Sequence, residues 1–206
     1  MAIVIVGITG GSGAGKTTVA ERIQRYFGRD RAVIIEQDSY YRDHSHLPLE
    51  KRQEGNFDIP EAVELDRLAD DLVKLRRGTP IEKPIYEYRT HSRIGYETVE
   101  PRDVVIVEGL FVLQDGDLRR LFDVKIFVDA DERTRAKRRI ARDTAERGFT
   151  EKEVIERLRR DVLPMHEKYV EPTRSFADFL IDGTSSLDEQ LAPVLERVEE
   201  LTRLKS

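Results

Sequence analysis

Short apolar runs, separated by longer stretches of mixed polarity, set the pattern of this chain. Runs rich in valine and isoleucine or phenylalanine occupy residues 3–6, 32–35, 104–107, 124–128 and 179–181. Each run is too short for a core helix and is typical of a strand buried within a sheet. We therefore predict that these runs are the strands of one sheet.

Between the runs, apolar residues recur every three or four positions, which is the spacing of one helix face. A stripe that includes Val63, Leu68 and Leu75 follows Pro60 and ends near Gly78, so we predict a helix that begins at Pro60. Thr150 and Glu153 have the spacing of a capping box at the start of another helix. That helix covers residues 150–163, and the remaining predicted helices cover residues 16–27, 131–147 and 187–204.

Two segments depart from this alternation. Residues 84–88 and 94–99 alternate apolar and polar side chains, which predicts an inserted β-hairpin at about 81–100. Residues 40–59 are polar without a clear period and are predicted to form a long functional loop. Elsewhere strands alternate with helices, which predicts an α/β fold with a mainly parallel sheet covered by helices on both faces. We expect residues 1–206 to form a single domain.

A glycine-rich loop, GGSGAGKT at residues 10–17, joins the first predicted strand to the first predicted helix. It matches G-x-x-x-x-G-K-[ST] without a mismatch, and strand, loop and helix follow in the order that this phosphate-binding motif (P-loop) requires. Glycines let backbone N–H groups approach a phosphate, and the following helix adds its positive dipole end. We expect Lys16 to reach the β- and γ-phosphates and Thr17 to ligate Mg²⁺. The loop residues expected to hold the nucleotide are Gly10, Gly11, Ser12, Gly13, Ala14, Gly15, Lys16, Thr17 and Thr18, the last interpreted as a packing residue.

Composition excludes several classes of protein. A net charge of −5 argues against a nucleic-acid polymer as partner, because such proteins usually carry a basic patch. The absence of cysteine removes disulfides, thiolate metal sites and cysteine nucleophiles. No apolar run approaches the length of a membrane span, and the apolar start lacks the basic residues of a signal peptide. We therefore expect a cytoplasmic protein with no membrane partner.

Two acidic residues follow predicted strands, at the sheet edge where open α/β folds bind ligands. A hydroxyl group that attacks a γ-phosphate needs a nearby base, and Asp38 is our candidate for that role. Glu108 follows the run at 104–107 and resembles the acid that holds Mg²⁺, directly or through water, in P-loop proteins. A turn or helix-cap aspartate and a simple strand-end acid are the structural alternatives.

Arginines are concentrated on the predicted helix at 131–147. Arg135, Arg139 and Arg142 share one face at spacings of i, i+4 and i+7, and Arg138 and Arg147 complete the set. Guanidinium groups that close on developing charge assist phosphoryl transfer, so the later members, Arg139, Arg142 and Arg147, are the preferred candidates. A solvated helix paired with its own acids is the alternative for part of the set.

Four rings are candidates for holding a planar substrate by stacking and by edge hydrogen bonds: Tyr41, Phe57, Tyr86 and His91. Taken singly, each is more typical of a packed aromatic ring or a surface histidine. The remaining histidines at positions 44, 46 and 166 lack the spacing of a metal site.

Seven segments follow one another in the order of a known family. They are GGSGAGKTT at 10–18, QDSYYRD at 37–43, NFDIPEA at 56–62, YEYRTHSR at 86–93, VIVEG at 105–109, RRIARDTAERG at 138–148 and EPTRSFAD at 171–178. Together they span about residues 3–181 and resemble the uridine kinase (uridine-cytidine kinase) family of P-loop nucleoside kinases.

The resemblance implies Mg²⁺-dependent transfer of the ATP γ-phosphate, with GTP as an alternative donor, to the 5′-hydroxyl of uridine or cytidine. By position it implies Asp38 as the catalytic carboxylate and Glu108 as the acid near Mg²⁺. Arg139 and Arg142 match arginines around substrate and phosphates, and Arg147 matches an arginine of a helical lid at about 138–160. The nucleoside site would include Tyr41, Phe57 as a packing residue, Asp58 on the ribose hydroxyls, and Tyr86 and His91 on the pyrimidine edge. Family likeness also implies a homo-oligomer, as a tetramer.

The chain departs from the family pattern at four places. Phe149 stands where an arginine is usual, Arg157 where a glutamine is frequent, and Ile59 where a histidine follows NFD. Residues 182–184, Asp-Gly-Thr, replace a common Pro-x-Gly-Gly. Because the first two changes bear on nucleoside recognition, the acceptor is less firmly predicted than the type of reaction.

Two other functions remain as alternatives. A P-loop kinase for another small alcohol, similar to phosphoribulokinase or pantothenate kinase, would share the phosphate machinery, although a sugar phosphate would call for extra basic residues. A non-catalytic nucleotide-binding module would bind ATP without turnover. A guanine-reading N-K-x-D element is absent, because the sole asparagine is Asn56.

Overall fold

The strands of the computed structural model, which describes residues 3–204, confirm the predicted parallel sheet. The strands are Val4–Gly10 (β1), Ala32–Glu36 (β2), Ile81–Glu87 (β3), Ser92–Val99 (β4), Val104–Glu108 (β5), Val124–Asp129 (β6) and Phe179–Asp182 (β7). Five of them form one sheet in the order β2-β5-β1-β6-β7, with every pairing parallel. Because β1 lies at the centre, the loop that follows it opens at the middle of the carboxyl edge of the sheet.

The helices follow the predicted order with some shifted boundaries. They are Lys16–Phe27 (α1), Leu49–Gln53 (α2), Leu65–Arg76 (α3), Gly116–Arg120 (α4), Glu132–Ala145 (α5), Glu151–Arg157 (α6), Leu163–Met165 (α7) and Leu187–Leu204 (α8). Two π-helical turns, Leu158–Val162 and His166–Val170, flank α7. The predicted capping box is present, since Thr150 and Glu153 each bind the other's backbone N–H group. Within the described residues, no helix combines the length and the apolar character needed to cross a bilayer.

Apolar side chains pack against both faces of the sheet, as the continuous apolar runs predict. On one face, Ile5 of β1 belongs to a buried cluster with leucines of α3, Leu68 among them. On the other face, Val6 lies in a second cluster with Ile23 of α1 and Val194 of α8. Successive residues of β1 therefore contact opposite layers of the core.

β3 and β4 form the predicted hairpin, an antiparallel pair separate from the main sheet. Its turn is held to the long loop by Arg52, whose guanidinium donates to the carbonyl oxygen of Thr90 at 2.9 Å. The same side chain donates to the carbonyls of Leu47 and Ser45, both at 2.6 Å. The loop at 40–59 is thus tied down by hydrogen bonds and includes the short helix α2.

The prediction that a helix begins at Pro60 is wrong. Pro60–Ala62 form only a 3₁₀ turn, and Val63 returns to an extended conformation with φ −114° and ψ 142°. Val63 forms an isolated antiparallel bridge with Tyr41, and helix α3 begins two residues later. This pairing with a distant segment overrides the local helical pattern, which extends through Val63.

Candidate active site

The P-loop forms a preorganised anion site between β1 and α1. Gly13 and Gly15 have φ values of 81° and 108°, which favour glycine. A Cβ atom on Gly13 would also lie 2.4 Å from the carbonyl oxygen of Arg135, so a side chain has no room there. The first turn of α1 carries no acidic residue to compensate the positive end of its dipole. The loop therefore fits the phosphate groups of a nucleotide.

Lys16, the first residue of α1, turns back over this loop. Its Nζ atom donates to the carbonyl oxygen of Gly11 at 3.2 Å. Burial lowers the pKa of Lys16, while the negative charges of Glu108 and Asp38 act in the opposite direction. The ammonium group thus lies among the predicted catalytic acids, where it can bind phosphate oxygens.

Thr17 and Glu108 bring two oxygen atoms together beside the P-loop. The Thr17 hydroxyl donates to Oε1 of Glu108 at 2.9 Å. Burial raises the pKa of Glu108, and the charge of Lys16 and the Thr17 hydrogen bond oppose that rise. The described residues contain no cluster of three or more acidic, histidine or cysteine side chains that could hold a metal. A hydroxyl and one carboxylate suit Mg²⁺, which keeps waters and takes most other ligands from phosphates.

We expect Glu108→Gln to raise the Mg²⁺ concentration required for half-maximal rate by about tenfold, because a neutral amide attracts the cation less strongly. The measurement is a Mg²⁺ titration of initial rate at fixed ATP. Glu100→Gln, an exposed glutamate outside the cavity, serves as the control and should leave the titration unchanged. Equal Mg²⁺ requirements in wild type and Glu108→Gln would contradict this assignment.

Asp38 lies in the 3₁₀ turn that follows β2. Its Oδ2 atom accepts a hydrogen bond from the Tyr88 hydroxyl at 3.2 Å and lies 3.9 Å from a terminal nitrogen of Arg147. Burial, followed by the charge of Asp38, raises the pKa of Tyr88, so the phenol stays protonated and remains a donor. One hydrogen bond and one ion pair therefore orient this carboxylate.

A cavity of about 510 Å³ joins the P-loop to the hairpin, a size typical of small-molecule sites. It is bordered by Lys16, Thr17 and Glu108 on the phosphate side and by Phe57, Tyr86 and His91 among its aromatic residues. The other predicted site residues that line it are Ser12, Asp38, Tyr41, Asp58, Arg139, Arg142 and Arg147. The structure thus brings most of the predicted set to one cavity.

The predicted rings form one aromatic wall of the cavity. Phe57 and His91 are stacked, with ring centroids 4.4 Å apart and an interplanar angle of 9°. The Tyr41 ring lies edge-on to Phe57, with ring centroids 5.7 Å apart. It is tilted against Tyr86, with ring centroids 5.3 Å apart. The Tyr86 hydroxyl and the His91 Nε2 atom are buried and have no hydrogen-bond partner among the described residues. Such unpaired polar atoms beside a cavity fit a ligand that supplies the missing partners.

Burial lowers the pKa of His91 to about 4, and the charge of Arg157 acts in the same direction. His91 is therefore neutral throughout the range from pH 6 to 8. We expect the KM for the acceptor to stay constant across this range, since protonation of His91 would begin only well below pH 6. A KM that changes with an apparent pKa near the ordinary histidine value of about 6.5 would contradict this expectation.

One buried carboxylate holds three of the arginines together. Asp143 of α5 accepts from Nε of Arg142 at 2.9 Å and lies 3.2 Å from Nε of Arg139. Arg147 approaches the same carboxylate at 3.6 Å. Arg139 also donates to Asp58 at 3.2 Å. The arginines are thus placed beside the cavity by ion pairs.

Several predicted residues do not line this cavity: the P-loop residues Gly10, Gly11, Gly13, Ala14 and Gly15, and also Thr18, Arg135 and Arg138. Arg135 is buried against the P-loop, where its Nε donates to the carbonyl of Ala130 at 3.0 Å. Arg138 donates to the carbonyl oxygens of Ala14 at 3.3 Å and Gly183 at 2.9 Å. Thr18 is exposed and borders a second cavity of about 350 Å³, so its interpretation as a packing residue is wrong. The helix turns Thr18 away from the core, which begins at the next residue, Val19.

Sequence reasoning assigned no site role to Tyr88 or Asp143. Tyr88 has the same alternation as Tyr86 in the hairpin, which is a signal that both side chains point to one side. Asp143 lies four residues from both Arg139 and Arg147, the spacing of ion pairs on a helix face. Both signals were present, but neither indicates that the face borders a cavity.

Comparisons with known proteins identify relatives of this chain. The model of the phosphoribulokinase / uridine kinase family matches residues 5–189. A uridine kinase of Geobacillus sp. (strain WCH70) is 48% identical over 179 residues, which are 86% of this chain and 85% of that protein. A uridine kinase of Clostridium perfringens (strain 13 / Type A) is 47% identical, with 86% of each chain covered.

Solved structures show the same fold. A possible uridine kinase from Bacillus stearothermophilus matches with a TM-score of 0.62 at 17% identity, over 88% of this chain and 90% of the other. Phosphoribulokinase from Rhodobacter spheroides matches with a TM-score of 0.64 at 21% identity, over 89% and 73%. On the family model and the close relatives, this chain belongs to the phosphoribulokinase / uridine kinase family.

Proposed function

We propose that this protein transfers the γ-phosphate of ATP to the 5′-hydroxyl of a pyrimidine nucleoside, uridine or cytidine. The observation that carries the proposal is that Asp38 and Lys16 border one cavity with Tyr86 and His91, whose buried hydroxyl and Nε2 atoms have no hydrogen-bond partner among the described residues. Relatives named uridine kinase, 47–48% identical over most of their length, support the same acceptor.

In this proposal the P-loop and Lys16 bind the phosphates of ATP, and Asp38 accepts the proton of the 5′-hydroxyl. The hydroxyl oxygen then forms a bond to the γ-phosphorus as the bond to the β,γ-bridging oxygen breaks, and ADP leaves. Tyr88 and Arg147 hold Asp38 in position for this transfer. Thr17 and Glu108 would hold Mg²⁺, which when bound neutralises charge on the phosphate oxygens.

The arginines would bind the transferred group. Arg142 and Arg147 border the cavity and share Asp143, so their guanidinium groups can stabilise the charge that spreads over the γ-phosphate oxygens. We assign residues 138–160 as a lid over this group, because α5 and α6 contribute several lining residues. Exclusion of water by such a lid would favour transfer to the nucleoside over hydrolysis.

The nucleoside would lie between the acids and the aromatic wall. Asp58 would accept hydrogen bonds from the ribose hydroxyls, with Arg139 fixing its position through the 3.2 Å ion pair. Phe57 and Tyr41 would pack against the nucleoside, and Tyr86 and His91 would bind the base edge.

We also propose a phosphate donor, a cellular location and an oligomeric state. ATP is the proposed donor, with GTP as the alternative, and Mg²⁺ the proposed cofactor. We assign the protein to the cytoplasm and to a homo-oligomer, a tetramer by family likeness, with no nucleic-acid polymer or membrane as partner.

The deciding experiment measures ADP formation from Mg·ATP with uridine, cytidine, pantothenate and ribulose 5-phosphate in parallel. Turnover with a pyrimidine nucleoside and formation of its 5′-monophosphate are the expected results. Turnover with only pantothenate or only ribulose 5-phosphate would show that this alcohol, and not a nucleoside, is the acceptor. ATP binding without turnover on any of them would favour a nucleotide-binding module instead.

A further inference from the structure

Gln37 is the first residue of the 3₁₀ turn that carries Asp38, and its side chain is fully buried without bordering the cavity. Its Oε1 atom accepts a hydrogen bond from the backbone N–H group of Phe111 at 2.7 Å. The carboxamide nitrogen, Nε2, is also buried and has no hydrogen-bond partner among the described residues. The bond to Phe111 is therefore the polar contact that this buried carboxamide contributes to the protein.

This bond reaches the segment 109–111, which continues the chain beyond Glu108 at the end of β5. Gln37 packs so closely there that a Cβ atom on Gly109 would lie 2.3 Å from the Cβ atom of Gln37. The carbonyl oxygen of Leu110 accepts a hydrogen bond from the hydroxyl of Thr9, the residue of β1 just before the P-loop, at 2.9 Å. Side chains from β1 and from the turn after β2 thus hold the same segment.

The other end of the 3₁₀ turn is held by a different part of the fold. The Tyr40 hydroxyl donates to Asp71 of α3 at 3.1 Å. The Tyr40 carbonyl oxygen accepts from the backbone N–H group of Glu64 at 2.8 Å. Both contacts lead away from the segment that follows Glu108. Among the described side chains of the turn, it is Gln37 whose hydrogen bond joins Asp38 to that segment.

The proposed reaction depends on the relative position of groups from these separate elements. Asp38 follows β2, whereas Lys16 and Thr17 follow β1, and Glu108 ends β5. The base must lie within hydrogen-bond reach of the attacking hydroxyl while the γ-phosphate is held on the other side. A misplacement of about 1 Å can lower a rate by about a hundredfold. A buried hydrogen bond that joins the β2 turn to the β5 segment bears directly on this spacing.

We propose that Gln37 is a positioning residue, whose hydrogen bond to Phe111 holds the Asp38 carboxylate at the distance from the phosphate site that proton transfer requires. This inference rests on the proposed role of Asp38 as the base. Methionine has a similar length to glutamine but no strong acceptor. We therefore expect Gln37→Met to lower kcat by at least about tenfold, while the KM values for ATP and for the acceptor stay within about threefold of wild type.

The test is a double-mutant cycle with wild type, Gln37→Met, Asp38→Asn and the variant that carries both changes. The assay measures kcat with whichever acceptor the wild type phosphorylates, so a different acceptor would revise the proposed function without affecting this test. If Gln37 acts through Asp38, the double variant should turn over within about threefold of Asp38→Asn, because positioning a base that is absent has no effect. A merely structural role would lower kcat by the same factor in both backgrounds.

A control separates positioning from loss of stability. Gln37→Met leaves the buried N–H group of Phe111 unpaired, so its melting temperature should fall. Val198→Ala is the matched control, because Val198 is a fully buried residue of α8 in the core cluster on the opposite face of the sheet. It should also lower the melting temperature but keep the wild-type kcat.

A second variant serves if methionine at position 37 prevents folding. Thr9→Val is nearly the same shape and loosens the same segment by removing the hydrogen bond to Leu110, so it enters the cycle in place of Gln37→Met. A folded variant with the wild-type kcat overturns the inference, as does an equal loss in both backgrounds. If Asp38→Asn turned over within tenfold of the wild-type rate, the proposed base would be wrong and this inference with it.

Discussion

Asp38→Asn is expected to lower kcat by about a thousandfold while leaving the affinity for Mg·ATP nearly unchanged. The asparagine keeps the shape of the side chain and its contact with Tyr88 but cannot accept the proton of an attacking hydroxyl, and a positioned base contributes about 10² to 10⁴ in rate. Steady-state kinetics gives kcat, and calorimetric titration gives the affinity for nucleotide.

Asp70→Asn is the matched control, because Asp70 is an exposed aspartate of α3 away from the cavity. This variant should show wild-type kcat. If Asp38→Asn turned over within tenfold of the wild-type rate, the carboxylate at position 38 would not be the base. Tyr88 and Arg147 would then hold an acid that serves only to shape the cavity.

Lys16→Ala should lower kcat/KM for ATP by at least about a hundredfold, the usual cost of removing one donor from a developing oxyanion. Lys16 is the lysine of the loop, and its Nζ atom lies close to the backbone of Gly11. Its loss should affect both the binding of phosphate oxygens and the stabilisation of charge during transfer. The measurement is kcat/KM for ATP at saturating uridine.

A second readout distinguishes a binding defect from misfolding. Mg·ATP should raise the melting temperature of the wild-type protein, because a ligand that binds only the folded state stabilises it. Lys16→Ala should melt at the wild-type temperature without nucleotide but gain much less from its addition. Lys152→Ala, at a residue whose side chain is 86% exposed, should respond as the wild type does. A full nucleotide response by Lys16→Ala would contradict the role of this lysine.

Local sequence patterns predicted α1 with its observed bounds and located the central strand, although the strand continues from the predicted run at 3–6 to Gly10. A β-branched run, a glycine motif and a helical stripe lie adjacent in the chain and need no distant contact to be interpreted. The hairpin was equally clear from its alternation. Pro60 was misleading because Val63 pairs with Tyr41, a contact that no local pattern records.

In the candidate site too, local patterns predicted some residues, whereas the positions of others depend on distant contacts. Asp38 could be predicted because it follows a strand end, a position where sequence and sheet edge coincide. The positions of Tyr88 and Asp143 depend on tertiary packing, since Tyr88 follows β3 and Asp143 lies on α5, yet both border one cavity. Spacing along the chain indicated which residues share a face, but only the tertiary structure shows which face meets the cavity.

The carboxylate of Asp143 also reduces the electrostatic repulsion among the arginines that surround it. Guanidinium groups that repel one another are already assembled around a shared anion before any polyphosphate arrives. Folding, rather than ligand binding, therefore overcomes most of that mutual repulsion. In the proposed reaction, an incoming triphosphate would meet arginines that are already in place, and more of its attraction to them would remain available for the reaction itself.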